Sequence, residues 1–203
     1  MDYRNLSIAE KIERVQEYRA YGAEKKHQAA YLNALQASDT QQIAEYEAFG
    51  DTPRQIIMNL NSYQQAQTFE FTGREFNEYG WLANAHFTNV EHIEFFHKKG
   101  WAAHNYITIG RGANGKWSYG ASYSTGGAGG GYGLGIWGKM FDNRKECLAA
   151  ALRELSDRHE QERKRHPKDD CNFNSTLSNT IVKQVTVMLS ELTVAKQLTL
   201  LFN

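Results

Sequence analysis

Residues 101–124 read WAAHNYITIGRGANGKWSYGASYS, two extended runs on either side of Asn114-Gly115. Asn-Gly supplies the two positive-φ positions of a type I′ turn, so this stretch predicts a β-hairpin. With those two residues as the turn, Ala113 pairs with Lys116, Gly112 with Trp117, Gly110 with Tyr119, Thr108 with Ala121 and Tyr106 with Tyr123. The period of two then sorts the side chains. One face carries His104, Tyr106, Trp117, Tyr119 and Tyr123; the other carries Asn105, Ile107 and Ile109 opposite Ser118, Gly120 and Ser122. The aliphatic face, flanked by small residues, suits a packed helix. The aromatic face is either a stacking platform or the floor of the core.

The hairpin lies in a stretch with an unusual charge pattern. Lys and Arg number 23 and Asp and Glu 23, which argues against a nucleic-acid mimic or a generally basic protein. Yet no acidic residue occurs between Glu94 and Asp142, a gap of 47 positions holding Lys98, Lys99, Arg111, Lys116, Lys139, 10 of the 25 aromatic residues and 13 of the 17 glycines. Nucleic-acid surfaces combine cations for phosphates with exposed rings that stack on bases, each worth roughly 1–3 kcal/mol. The composition satisfies both demands. Arg144 and Lys145 open the following helix, where they oppose its dipole and are easier to understand as serving a ligand. The competing reading makes Trp117, Tyr119 and Tyr123 plain core.

Gly126 to Gly138 holds eight glycines in thirteen residues. Gly133–Gly138 matches G-x-G-x-x-G, and with Lys139 it falls one residue short of a Walker A loop, Met140 standing where the metal-binding hydroxyl is needed. No apolar strand leads into it and the next helix starts about four residues late. The tract reads as a flexible loop, or as one whose bare N–H groups let a phosphate or another backbone approach closely.

Helices flank this centre. Ser7 with Glu10 forms a capping box for a helix running to about Gly22; further helical stretches follow at 24–37 and 40–48, and Thr52-Pro53 restarts the chain. Eight glutamines between 28 and 67 form a solvated surface or a partner-binding face. FEFTGREF in 68–76 suggests a short strand, and Asn89 before VEHIEFFHKK a capped helix. After Asp142 or Asn143 as cap, Leu148, Leu152 and Leu155 form an apolar stripe, and Pro167 ends the helix. In the last thirty residues Leu177, Ile181, Val185, Met188 or Leu189, and Leu192 fit a helix, while IVKQVTV also fits a strand.

No nucleophile–base pair or metal-ligand spacing stands out. His92 and His97 are five apart rather than three or four, and Cys147 and Cys171 read as free thiols in a reducing compartment. No catalytic residue, metal or cofactor is expected. There is no secretory signal and no run long enough for a membrane helix, which points to a cytoplasmic protein with no membrane contact.

Gln197-Leu198-Thr199-Leu200-Leu201-Phe202 resembles the short peptides with which bacterial DNA-maintenance proteins dock into the replication sliding clamp, with Gln197, Leu198, Leu200 and Phe202 as anchors. Together with this tail, the hairpin, glycine tract and helix of 101–155 are similar to accessory segments of phage- and plasmid-borne DNA-metabolism proteins of the ParB-like and DNA-modification type. The likeness covers about a quarter of the chain and brings neither a ParB nuclease signature nor a methyltransferase motif. It implies a mobile-element setting near nucleic acid.

The expected fold is α+β: a helical region over 1–67, an α+β core over 68–166 with a hairpin or small antiparallel sheet, and a C-terminal helix and tail over 167–203, packed as one unit. The expected function is non-enzymatic binding of nucleic acid or a nucleoprotein complex, as a replication accessory or an inhibitor of a host defence such as CRISPR. Phosphate contacts would come from Lys98, Lys99, Arg111, Lys116, Lys139, Arg144 and Lys145, and stacking from Trp117, Tyr119 and Tyr123. The alternatives are a protein–protein adaptor using the Gln-rich helices, and a small metal-dependent nuclease or hydrolase.

Overall fold

A computed structural model describes residues 3–96, 98 and 104–201, with side chains to residue 193. The fold is α+β, and the chain forms two compact units, residues 1–85 and 86–203. Among the described residues no helix is long and apolar enough to cross a membrane.

The first unit holds α1 (Ile8–Glu17), α2 (Glu24–Gln36), α3 (Thr40–Glu47) and α4 (Pro53–Gln67). The expected caps form: the Ser7 hydroxyl accepts from Glu10 N and the Glu10 carboxylate from Ser7 N, and Thr52 accepts from Gln55 N with Pro53 at the first turn. α1 stops at Glu17, short of Gly22. The Gln28 amide donates to the Val15 and Tyr18 carbonyls at 2.7 and 2.6 Å, taking acceptors that a longer helix would have used itself. Val15, Tyr31, Leu35, Ile43, Ile56 and Ile57 make the core. Inside it Lys11 donates to Glu47 at 2.7 Å, the Tyr31 hydroxyl donates to the same carboxylate at 2.9 Å, and the Tyr3 and Tyr31 hydroxyls lie 3.0 Å apart.

Residues 68–85 belong to this unit, so the helical region reaches past residue 67. The strand expected at 68–76 is absent; Phe76 makes a single bridge to Leu82 instead. Asn59, 2% exposed, holds the segment down: its amide donates to Phe49 O and Gly80 O, and its carbonyl accepts from Leu82 N at 2.9 Å.

The second unit is an antiparallel sheet of β1 (Thr88–Phe95), β2 (Asn105–Arg111), β3 (Trp117–Ser124) and β4 (Gly129–Tyr132), in that order, packed with α5 (Arg144–Arg165) and α6 (Ser175–Leu201). β1 corrects the helix expected after Asn89. Asn89 is not a cap but the positive-φ residue (φ 48°) of an irregularity between Thr88 and Glu91, after which Ile93 and Phe95 alternate onto the core. α5 starts from Asn143 as cap and ends before Pro167, as its signals predict. α6 resolves the helix-or-strand ambiguity in favour of the helix, with Ile181 and Val185 fully buried.

The hairpin register differs from the predicted one by one residue. Gly112 N donates to Lys116 O at 2.7 Å and Gly115 N to Gly112 O at 3.1 Å, so the loop has three residues, with Gly115 at φ +80° as a bulge. Arg111 therefore pairs with Trp117, Ile109 with Tyr119 and Ile107 with Ala121. This shift moves Trp117, Tyr119 and Tyr123 to the face of Ile107 and Ile109, where they join the core under Leu148, Leu152 and Leu155.

The opposite face explains the glycine tract. A Cβ at Gly120 would overlap the Gly133 carbonyl carbon and Leu134 N, and one at Gly110 would meet the Leu134 side chain, so residues 133–134 lie directly on the sheet backbone. Replacing Gly120 by Ala should therefore lower the unfolding free energy by about 1–3 kcal/mol. Gly130→Ala, whose Cβ would meet only the Tyr123 ring at an ordinary 3.5 Å, should stay within about 0.5 kcal/mol, both read from urea midpoints at unchanged slope.

Candidate functional site

The residues expected to bind nucleic acid divide, among those described, between the core, ion pairs and the exposed surface. Tyr119 is 4% exposed, and its hydroxyl donates to Glu154 at 2.7 Å, corrected from a stacking ring to a core residue by the hairpin register. Trp117 and Tyr123 are half-buried and pack on the same core. Lys116 is ion-paired with Asp142 and Arg144 with Glu91, each cation holding its partner's carboxyl below the usual range, chiefly by hydrogen bonding. The positive charge of Arg144 at the start of α5 is thus answered by β1. Arg111 Nε braces the turn by donating to Gly115 O at 3.2 Å.

Lys139 stays exposed and Lys145 is half-buried, each beside Arg153 in separate recesses along α5. Lys98 is exposed. Lys99 and Phe202 lie outside the described residues, as do the side chains of Gln197, Leu198 and Leu200. Trp137, 60% exposed, Phe96, 44% exposed, and Tyr132, 43% exposed, are the outward rings of the acid-free stretch among the described residues. Sequence periodicity gave no hint of Trp137, since it follows a tract without strand or helix pattern.

Two polar centres sit inside the second unit. At the first, the hydroxyls of Tyr119 and Tyr132 both donate to Glu154 Oε2, at 2.7 and 2.9 Å, while Arg158 reaches Oε1 at 3.3 Å. Burial alone would raise the Glu154 pKa, but the hydrogen bonds from both phenols and Arg158 bring it below the usual value. Burial also pushes both phenols up, Tyr132 to about 12. The hydroxyls therefore remain protonated donors rather than bases, and the centre fastens β3 and β4 to α5.

At the second, His159 Nε2 lies 2.9 Å from Asn105 Oδ1 and Nδ1 lies 3.1 Å from the Ser178 hydroxyl. Asn105 Oδ1 already accepts from Ser124 N, so it acts as an acceptor; Nε2 carries the proton and Nδ1 accepts from Ser178. Ser, His and Asn in this order imitate a hydrolytic relay. However, Ser178 and His159 are 0% exposed and Asn105 is 4% exposed, so a substrate carbonyl has no approach. Burial first, and the Arg163 charge second, lower the His159 pKa to about 4, keeping the ring neutral near pH 7. Among the described residues no group of three or more His, Cys, Asp and Glu side chains is placed to hold a metal ion.

In the helical unit the glutamines divide by role. Gln28 caps α1 and Gln55 donates to Tyr79 O at 3.0 Å, whereas Gln36, Gln41, Gln42, Gln64 and Gln67 are exposed. No protein-family model, curated protein or solved structure matches this chain.

The neutral His159 has a pH consequence. Its folded pKa, near 4, lies below the ordinary 6.5, so between those values the unfolded chain binds the extra proton. Its stabilising contribution is complete above pH ~6.5 and should fall by about 3 kcal/mol as pH drops towards 4, at ~1.4 kcal/mol per unit. Buried His27, lowered likewise by desolvation, acts in the same direction. Urea unfolding across this window should show the decline, with a shallower slope in His159→Gln.

Proposed function

We propose that this protein is a non-enzymatic adaptor: the unit 86–203 is a packed scaffold, and the glutamine-rich surface of the unit 1–85 meets a protein partner. The observation carrying this reading is that Tyr119 is buried while Trp117 and Tyr123 pack half-buried against the same core, which ties the three rings expected to stack on bases to the protein's own packing. Exposed amides at Gln36, Gln41, Gln42, Gln64 and Gln67 each offer a donor and an acceptor, with no charge to desolvate. The resemblance of residues 101–155 and the tail to phage- and plasmid-borne segments points to a cytoplasmic partner within a host nucleoprotein machine, replicative or defensive, a CRISPR complex among them.

A second reading keeps direct nucleic-acid contact but moves it. Exposed Trp137 neighbours Lys139, and Lys139 and Lys145, unlike Lys116 and Arg144, are held in no ion pair among the described residues. Fluorescence anisotropy with labelled single- and double-stranded oligonucleotides at about 50 and 200 mM salt separates the two. The adaptor reading expects no saturable binding at either salt and no change in Lys139→Glu/Lys145→Glu. Tight low-salt binding that falls steeply with salt and vanishes in that double variant would replace it with the second reading.

A further inference from the structure

A groove of about 800 Å³ opens in the helical unit between α2, α3, α4 and the segment after α4. The volume lies in the range of small-molecule sites, roughly 300–1,000 Å³. His27 from α2 lines it and is only 4% exposed, yet its Nε2 has no hydrogen-bond partner. Buried polar atoms are nearly always paired, because leaving one unmet costs about 1–3 kcal/mol. Burial, and secondarily the charge of Lys26, lowers the pKa of this imidazole, with the Asn61 side chain acting in the opposite sense. The ring thus offers one donor and one acceptor rather than a charge.

The walls supply complementary chemistry. Arg74 lies 4.3 Å from the Phe49 ring centroid and 5.4 Å from that of Tyr63, so its guanidinium is held beside an aromatic wall with its N–H groups in no ion pair among the described residues. Lys26 is a second cation on the rim, and against these two the lining holds one carboxylate, Glu45, which already accepts from the Gln41 amide. The Gln42 and Gln64 amides line the same space with no partner of their own among the described residues.

We propose that this groove binds a small ligand that joins a planar, hydrogen-bonding ring to an anionic group, the chemistry of a mononucleotide. The anion is met by Lys26 and the fork of Arg74, the ring by the half-buried Tyr46 and Tyr63 that line the groove, and its polar edge by His27 Nε2 and the glutamine amides. The inference goes beyond the adaptor reading and does not depend on it.

Isothermal titration of the full chain with AMP, GMP, CMP and UMP, alongside adenosine and inorganic phosphate, tests it. At least one mononucleotide should bind with Kd below about 1 mM, tenfold or more tighter than the nucleoside or phosphate alone. Lys26→Glu, at an exposed position, should weaken that binding at least tenfold with an unchanged thermal midpoint, and the His27 ring protons should shift in NMR spectra on saturation. The proposal is overturned if none of the four binds below that limit, if phosphate alone binds as well, if Lys26→Glu binds unchanged, or if the His27 signals stay in place. Failure here leaves the oligonucleotide result, and with it the adaptor reading, untouched.

Discussion

A loop of three residues, Ala113 to Gly115, fixes how β2 meets β3, and the packing of the whole 86–203 unit follows from it. Gly115 sits at φ +80°, a conformation that costs glycine little and other residues more. With Gly115 as a bulge, Gly112 closes on Lys116 and the odd-numbered residues of both strands share one face. That face gathers Ile107, Ile109, Tyr119 and Ala121 beneath Leu148, Leu152 and Leu155, while the even-numbered face presents Gly110, Ser118 and Gly120 to the glycine tract. The two halves of this packing are coupled, because a register that exposed Tyr119 would also put bulky side chains where Leu134 and the backbone of Gly133 now lie.

Buried polar groups add uniqueness to this apolar packing. Lys11, Glu47, Tyr31 and Tyr3 form one chain of contacts across α1, α2, α3 and the N-terminal turn, and Asn105, His159 and Ser178 form another across β2, α5 and α6. Removing one partner from such a set strands a buried donor or acceptor, which costs more than the bond itself contributed. Gln184 plays a related part at the edge of the sheet, where its amide exchanges two hydrogen bonds with the backbone of Phe96 and so mimics a neighbouring strand. These contacts tolerate little sliding of a helix along its neighbours, which an aliphatic core alone would permit more readily.

What could be read from the chain beforehand was what is decided locally. Ser7, Thr52 and Asn143 cap helices through atoms three residues away, and Leu148, Leu152 and Leu155 mark a stripe by spacing alone. Thr88–Phe95 was illegible because Asn89 fits both a helix cap and a positive-φ irregularity, and pairing with β2, distant in sequence, decides between them. Asn114-Gly115 likewise satisfies a two-residue turn and a three-residue loop equally well at the level of dihedral preference. Only burial of Tyr119 against α5 separates them, and that energy is invisible to the turn itself. The expected binding residues inherited this ambiguity: Tyr119 went to the core with its strand, and Lys116 and Arg144 met acids 26 and 53 residues away; Trp137, not among them, became exposed through the path of the glycine tract. His27 gave no signal, since only the meeting of three helices makes it a buried ring beside a groove.

The segment that follows α4 carries a last implication, for how such a protein changes over evolutionary time. Asn59 reserves its amide and carbonyl for Phe49, Gly80 and Leu82, so the helical unit is not closed until some fifteen residues beyond the end of α4. A recombination event with a junction just after Gln67, where helical periodicity ends, would separate Asn59 from two of its three bonds and uncover the wall it seals. Exchange after residue 85 would transplant a self-contained piece. Gene fusions that reuse this unit are therefore constrained to break where the interior has been completed rather than where the helix stops.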